Sequence, residues 1–254
     1  MRKKIVLILL LIIALCVQGA VSREKYRKKQ KSIFIKAGKP RKIKGKLADS
    51  ILQLVHSKQR RILQSSSLHP EKYNASRIFD QNFSTCWAEG SRGFGRGDWV
   101  IFRSIAIFWI YNGMWRSKDL FYANNRVKKM KISFYNVYAR SRDVYDSTAR
   151  KYTKTETTVF TNVYLLSETL VQLPDGMYPI EILTGTPPIP FEISPDNKEL
   201  AYEKWANDGY RFCRLEILDV YPGTKYNDTC ISEIVFGTFD PNLPEFGAKD
   251  KYVY

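Results

Sequence analysis

Strand-like runs rich in apolar residues, separated by turn sequences, dominate the chain from residue 62 onward. A period of two places successive side chains on opposite faces of a strand, so each run predicts a strand with one buried face. Such runs cover 99–111, 126–139, 157–166, 168–174, 177–184, 210–221 and 230–239. Turn residues fill the intervals, as in YPGTKYND. Helical periodicity is almost absent, so the pattern predicts an all-β fold, an antiparallel β-sandwich over 62–240.

One segment ahead of the sandwich has helical spacing instead. Leu47, Ile51, Leu54 and Val55 fall on one helix face, which predicts a short helix leading into the domain. The proline-rich and acidic stretch 184–205 predicts a long surface loop, and 241–254 is predicted as a C-terminal tail.

Charge is distributed very unevenly along the chain. The net charge is +16, and the segment 23–61 alone carries fifteen Lys or Arg against Glu24 and Asp49. The remainder from 62 to 254 is neutral on balance, and since a nucleic-acid site needs a basic groove on the fold, no specific nucleic-acid binding is predicted. The segment 23–61 is predicted as a flexible tail. Two interpretations stand, a solvated spacer or attachment to an anionic membrane or other polyanion.

The N-terminus combines MRKK with an apolar run over 5–17 and small residues near position 20. This order is typical of a secretory signal, here 1–22, and the run is short for a bilayer span. Cys16 ends the run, so a lipid anchor is the second interpretation, although Leu15 stands where lipoprotein signals have a small residue. Dense positive charge after the run opposes export. We predict export, with cleavage favoured over lipidation.

Oxygen-bearing residues cluster in IFDQNFSTCW, over 78–87. Asp80, Asn82 and Thr85 alternate there in a tight loop, and calcium prefers six to eight oxygen ligands. The backbone carbonyls of Arg77 and Asn82, with Glu233 from the last strand, would complete a structural calcium site. The alternative is that Asp80 and Thr85 only cap the loop through local hydrogen bonds.

Several stretches resemble known families. NASRIFDQNFSTCW is similar to a loop of discoidin, or coagulation-factor type C, domains. A longer similarity over 62–237 runs through TCWAEGSRGFGRGDWV, IYNGMWRSKDLFYANNRVKKMKI and LEILDVYPGTKYNDTCISEIVF. These resemble the glycan-binding, or translocation, domain named for bacterial NAD glycohydrolase toxins. The resemblance implies a galactose-binding-like, discoidin-type jelly roll. The toxins' catalytic domain has no counterpart in this chain, so their activity is not carried over.

The chain departs from the discoidin pattern at two positions in the loop. Gln81 stands where a glycine is usual, which would strain the turn if φ there is positive. Asn82 replaces a common Asp and removes one negative charge from the predicted cation site.

Exposed aromatic residues beside polar groups are the usual sign of a sugar site. Trp115 follows Asn112 and Gly113 in a predicted loop, so it is the best stacking candidate. A mobile glycine-rich loop offers further groups, and Asn and Arg side chains can hydrogen-bond hydroxyls or an acidic sugar. For Asn124 the alternative is plain turn chemistry. The predicted ligand-binding residues are Trp115, Arg116, Asn112, Asn124, Arg126, Arg92 and Phe94.

No motif for catalysis accompanies these residues. Both histidines lie in or near the basic segment, and neither a nucleophile elbow nor a phosphate loop occurs. The carboxyl pair Glu89 and Asp98 has no spacing that places it above a loop-stabilising role. The chain is therefore predicted not to be an enzyme.

Three cysteines remain if the signal is removed, and the odd count leaves at least one without an internal partner. Cys86 and Cys230 flank the two loops that are expected to meet, so they are candidates for a disulfide. Cys213 lies in an apolar run and is predicted as a buried core thiol.

These observations favour an exported, non-catalytic module that recognises carbohydrate or another cell-surface ligand, with a structural calcium ion. The second hypothesis is a structural or targeting component of a bacterial envelope assembly. Such a component would bind a protein partner, or an anionic surface through 23–61.

Overall fold

The computed structural model of the chain describes residues 31–57, 62–146, 148, 150–185 and 209–237. The strands are β1 Lys31–Ile35, β2 Arg41–Ile43, β3 Ile62–Gln64, β4 Trp87–Ala88, β5 Trp99–Arg103, β6 Ile107–Asn112, β7 Asn125–Asp146, β8 Lys151–Gln172, β9 Ile180–Thr184, β10 Gly209–Tyr221 and β11 Thr229–Phe236. The helices are α1 Lys46–His56, a 3-10 helix Ala75–Phe79, and α2 Lys118–Ala123. In the part of the chain covered by these ranges, no helix has the length and apolar character of a membrane span. The predicted signal, Cys16, most of the 184–205 loop and the C-terminal tail lie outside the described residues.

The strands form a two-layered sandwich because one continuous series of hydrogen-bonded strands folds back on itself. That order is β1-β9-β6-β11-β7-β10-β5-β3, with β4 beside β11, β8 beside β7 and β2 beside β8. β11 meets β7 through only two parallel pairs, while the pairings on either side are antiparallel. Phe102 of β5 and Phe108 of β6 are far apart in this order, yet their ring centroids are 5.7 Å apart. The layers therefore stack face to face, which confirms the predicted β-sandwich.

The alternating pattern sorts side chains between the interior and one outer face. In β5, Val100 and Phe102 point into the main core between the layers, whereas Ile101 joins a second cluster outside it. Complete burial of such a side chain stabilises the fold by roughly 1.5–3 kcal/mol. The second cluster also contains Tyr135, Val137, Val163 and Phe212.

The segment 31–57, which we call the strap, is part of this fold. β1 extends one layer at β9, and β2 pairs with β8 of the other layer. α1 covers the outer cluster, in which Ile51 and Leu54 are buried. This corrects the predicted flexible tail over 31–57 and moves the start of the domain ahead of residue 62. A helix is present where the apolar spacing predicted one.

The loops that carry most of the candidate residues emerge together at one end of the sandwich, the loop end. Backbone hydrogen bonds tie them to the start of β11, from Glu89 to Thr229, from Gly113 to Cys230 and from Asn125 to Asp228. Segments that are far apart in sequence therefore meet here.

Candidate functional site

The predicted cation loop follows the 3-10 helix. The Asp80 carboxylate accepts hydrogen bonds from the Thr85 hydroxyl at 2.8 Å and from the Asn82 backbone N–H at 3.0 Å. Gln81 has φ of 59°, the left-handed conformation in which glycine is usual. The local capping interaction that the sequence left as an alternative is thus present in this loop.

Glu233 of β11 faces this loop from beneath. It is 1% exposed, and one carboxylate oxygen, Oε1, accepts a hydrogen bond from the Ile234 N–H at 3.3 Å. The other oxygen, Oε2, is buried without a hydrogen-bond partner among the described residues. Burial, and then the charge of Asp80, raise the pKa of Glu233 to about 8. The structure thus brings Glu233 together with the loop, as the sequence predicted.

The chemistry of this cluster limits what it can hold. The described ranges contain no group of three or more His, Cys, Asp or Glu side chains arranged to bind a metal. A cation at this position would therefore rely on Asp80, Glu233 and neutral oxygens. The Arg77 guanidinium lies 3.5 Å from the Asp80 carboxylate and offsets part of its charge.

Trp115 is not a stacking residue, which corrects the sequence prediction. It is 7% exposed and packs against Tyr111 with ring centroids 4.8 Å apart. Its indole N–H donates to the Asn112 carbonyl at 2.8 Å, and its backbone N–H donates to the Ser232 hydroxyl at 2.8 Å. The indole has no open face for a sugar.

Two further predicted ligand residues, Asn112 and Asn124, form hydrogen bonds with the backbone instead. The Asn112 amide accepts from the Val127 N–H at 2.9 Å and donates to the Val127 carbonyl at 2.8 Å. The Asn124 amide donates to the Leu120 carbonyl. Because buried polar groups need partners, these side chains are committed to the fold, and Asn124 caps the C-terminal end of α2.

Arg126 is also committed to the fold. It is buried, and it donates from Nε and Nη2 to the two oxygens of Asp175 at 3.0 Å each. Its Nη1 donates to the carbonyls of Asn124 and Pro222. Arg126 therefore ties together three loops and has little capacity for a ligand.

Phe94 is the predicted ligand residue with the most unusual conformation. Its φ is 66°, it is 38% exposed, and it lies between Gly93 and Gly95, which also have positive φ. A bulky side chain in this region is a rare backbone outlier. Arg92 beside it and Arg116 in the next loop are exposed as well.

Buried groups hold this glycine-rich loop from below. Glu89 accepts from the Ser91 N–H at 2.8 Å and the Thr229 N–H at 3.3 Å, and the Thr229 hydroxyl donates to the Phe94 carbonyl at 2.8 Å. A Cβ at Gly95 would lie 2.3 Å from Glu89 Cγ, so only glycine fits there.

Burial, followed by the charges of Asp98 and Asp228, raises the pKa of Glu89 to about 7. Asp98 in turn accepts from the Ser65 hydroxyl at 2.6 Å, so both carboxyl groups support the loop.

Two exposed tyrosines at the loop end were not identified from the sequence. Tyr122 lies in the last turn of α2 and Tyr226 lies in the loop between β10 and β11, and both are more than one-third exposed. The backbone N–H groups of Lys225 and Tyr226 donate to the Ala123 carbonyl, so the two segments are in contact. The sequence did contain a signal for Tyr226, since an aromatic residue stands inside the turn sequence YPGTKYND.

Comparison with known proteins identifies the class to which this fold and loop end belong. Residues 56–178 match the family model described as the NAD glycohydrolase translocation F5/8 type C domain. The chain thus carries a discoidin-type, or F5/8 type C, domain, and the matched part belongs to the NAD glycohydrolase translocation family. Most of the strap precedes the match, and β9, β10 and β11 follow it. No curated protein sequence matches the chain.

Similar solved structures are remote. The arabinofuranosyltransferase AftD from Mycobacteria has 12% identity and a TM-score of 0.36, with 68% of this chain and 10% of that chain covered. This chain therefore spans about a tenth of that enzyme. An F5/8 type C domain from Bacteroides fragilis has 14% identity and a TM-score of 0.34, with 78% and 95% covered. The CBM32 of AlyQ, in complex with 4,5-unsaturated mannuronic acid, has 10% identity and a TM-score of 0.21, with 70% and 94% covered.

Proposed function

We propose that this chain is an exported, non-catalytic binding module that recognises carbohydrate at a cell surface through its loop end. The observation that carries the proposal is Phe94, an exposed aromatic residue held in a left-handed conformation. Such conformations cost on the order of 1–3 kcal/mol and persist where the surroundings impose them, often at ligand-binding sites. Glu89 and Thr229 impose it here.

The surroundings of Phe94 suit a sugar ligand. Aromatic faces bury the apolar side of a sugar ring, and guanidinium groups form paired hydrogen bonds with hydroxyl or carboxylate oxygens. The loop end offers Phe94, Tyr122 and Tyr226 for the first role, and Arg92 and Arg116 for the second. Membership of the F5/8 type C class, whose modules often bind carbohydrate, supports the same proposal.

Replacing Phe94 tests the proposal directly. We expect F94A to weaken glycan binding by roughly two- to tenfold, since aromatic packing contributes about 0.5–1.5 kcal/mol. F94W should retain binding. The measurement is a glycan array with the full chain, followed by titration of each hit.

The matched control is F34A, since Phe34 is 66% exposed on β1, away from the loop end. F34A should bind like the unmodified chain. Equal affinities for F94A and the unmodified chain would remove Phe94 from the site, and a blank array would contradict carbohydrate as the ligand.

A structural calcium ion is the second part of the proposal. Asp80, Thr85 and Glu233, with the carbonyls of Arg77 and Asn82, would hold it. The residues fit the ion because every donor is an oxygen and because the Oε2 of Glu233 is buried without a hydrogen bond from the residues that the structure describes. The ion would neutralise two neighbouring carboxylates and fix the loop 80–85 against β11. The Arg77 guanidinium, and the lack of a third carboxylate at this position among the described residues, predict modest affinity.

Thermal unfolding in calcium and in chelator tests this site. Calcium should raise the free energy of unfolding by about 1–3 kcal/mol when it is in large excess over its dissociation constant. E233Q should abolish the gain, whereas E168Q, at an exposed acid on β8, should keep it. Identical melting curves in calcium and in chelator would show that the loop is capped without an ion.

The strap favours a second candidate function, attachment to an anionic membrane surface. Six exposed cationic residues, and no acidic ones, occur within eleven consecutive positions of this ordered segment. They are Lys36, Lys39, Arg41, Lys42, Lys44 and Lys46. Attraction of such residues to an anionic leaflet contributes about 1 kcal/mol each.

Sedimentation with vesicles tests the second candidate. The full chain should bind vesicles containing phosphatidylserine at low salt, and binding should fall as salt rises. The variant K36E/K39E/K42E/K44E should lose binding, whereas K72E/K118E/K129E/K225E, a control with four substitutions outside the strap, should keep most of it. Binding that is indifferent to salt would contradict attachment by charge.

A further inference from the structure

Two buried cysteines lie side by side where the cation loop, residues 80–85, meets β11. Cys86 directly follows that loop, and Cys230 is the second residue of β11. The antiparallel register pairs Cys230 with Ala88 and Ile231 with Trp87. Cys86 and Cys230 are therefore diagonal neighbours on one face of this ladder, and they share one buried cluster.

The environment of the two thiols is small and closed, and the Cys230 thiol also donates to the Asp228 carbonyl at 4.0 Å. Both are buried, in a cluster with Ala88 that is packed by Tyr73 and Met114. A hydrogen bond between the two thiols, together with burial, raises the pKa of Cys230 well above its ordinary value. Cys213, in contrast, is fully buried in the main core between the layers.

We propose that Cys86 and Cys230 are an oxidisable pair that forms a disulfide when the chain meets a disulfide oxidant, whether a small-molecule disulfide or a protein one. The thiolate of one cysteine attacks the oxidant, forms a mixed disulfide and releases one thiol of the oxidant. The second cysteine loses its proton and attacks the sulfur of the first, which releases the other thiol. The chain loses two protons and two electrons, and one oxidant disulfide is reduced to two thiols.

The position of this bond gives it a defined consequence. It would join the end of the loop that carries Asp80 and Thr85 to the strand that carries Glu233. Diagonal neighbours are usually about 7–8 Å apart at Cα, and ordinary disulfides span roughly 4.4–6.8 Å. Closing the bond therefore draws the loop toward β11, and the resulting disulfide should be easier to reduce than an unstrained one.

The buried setting also determines when the bond forms. A neutral, covered thiol is a poor nucleophile, so oxidation of the folded chain should be slow. It should accelerate when the chain is refolded from denaturant in the presence of the oxidant.

The test is peptide mapping of the full chain after equilibration with oxidised and reduced glutathione. The oxidised chain should be about 2 Da lighter, have two fewer free thiols and yield a cross-linked peptide that contains Cys86 and Cys230. The cross-link should be absent from C86S and C230S and present in C213S. The melting temperature should rise by roughly 5–15 °C on oxidation and return after reduction.

The unmodified chain alone decides the outcome, so a variant that fails to fold does not obscure it. If both thiols remain free in oxidising buffer, after equilibration of the folded chain and after refolding, the proposal is overturned. Mixed disulfides with glutathione, or disulfides between chains without the internal cross-link, would overturn it as well.

Discussion

A chain that begins at residue 62 should not unfold cooperatively, whereas one that begins at residue 31 should. Removing the strap takes away α1 and uncovers the outer cluster of Ile101, Tyr135, Val137, Val163 and Phe212. It also strips β1 from β9 and β2 from β8. Domains of this size are stable by only about 5–15 kcal/mol. We therefore expect the shorter chain to aggregate or to show a broad urea transition in circular dichroism.

Single substitutions in α1 measure how much the packing of that helix contributes to stability, apart from the effect of removing the whole strap. Ile51 is fully buried, and I51A should lower the free energy of unfolding by about 2–5 kcal/mol. L54A should have a similar effect. Gln53 is exposed on the same helix, so Q53A should stay within about 0.5 kcal/mol of the unmodified chain.

A specific result would contradict this role for the strap. If the chains beginning at 31 and at 62 share one urea midpoint, α1 contributes nothing to the domain. A stable fragment without α1 would also mean that the outer cluster tolerates water, which is uncommon for so large an apolar patch. Any study of ligand binding should accordingly use a chain that includes the strap.

The sequence predicted the sandwich because short strand-like apolar runs are separated by turn sequences, although β6 and β11 are buried at nearly every position and show no period of two. Sequence analysis predicted a flexible tail over the strap because its edge strands are rich in charged residues. Ile33 and Ile35 have strand spacing in KSIFIKAGKPRKIKG, and Ile35 is buried, yet lysines surround them. Charged side chains on edge strands protect a sheet from further pairing. A high positive charge therefore indicated a solvated tail where the chain forms two edge strands, β1 and β2.

The direction of each side chain separates the predicted site residues that meet at the loop from those that hold the fold together. A single sequence does not contain that direction. Asp80, Thr85 and Glu233 come together because the loop and the last strand are adjacent in this class of fold. Asn112 and Arg126 have the same polar character, but their side chains bind the Val127 carbonyl and the Asp175 carboxylate of the chain itself. In NGMWR, neighbouring Trp115 and Arg116 were both predicted in the ligand site, and the structure buries one and exposes the other.

W115A should destabilise the whole domain rather than remove a single ligand contact. Loss of a buried tryptophan typically costs about 3–5 kcal/mol. Trp115 packs with Trp109, Tyr111 and Phe121, and no smaller side chain fills that space. Its indole N–H satisfies the Asn112 carbonyl, which would lose that partner. Urea unfolding monitored by circular dichroism measures the change.

The neighbour of Trp115 supplies the control and extends the prediction to the cation loop. R116A, at an exposed side chain, should stay within about 0.5 kcal/mol of the unmodified chain. Phe83 of the cation loop packs against Tyr111 and Trp115, so W115A should also reduce the stabilisation by calcium. A W115A variant as stable as the unmodified chain, but with weaker glycan binding, would return Trp115 to the ligand surface. Equal losses of stability in W115A and R116A would contradict the burial of one and the exposure of the other.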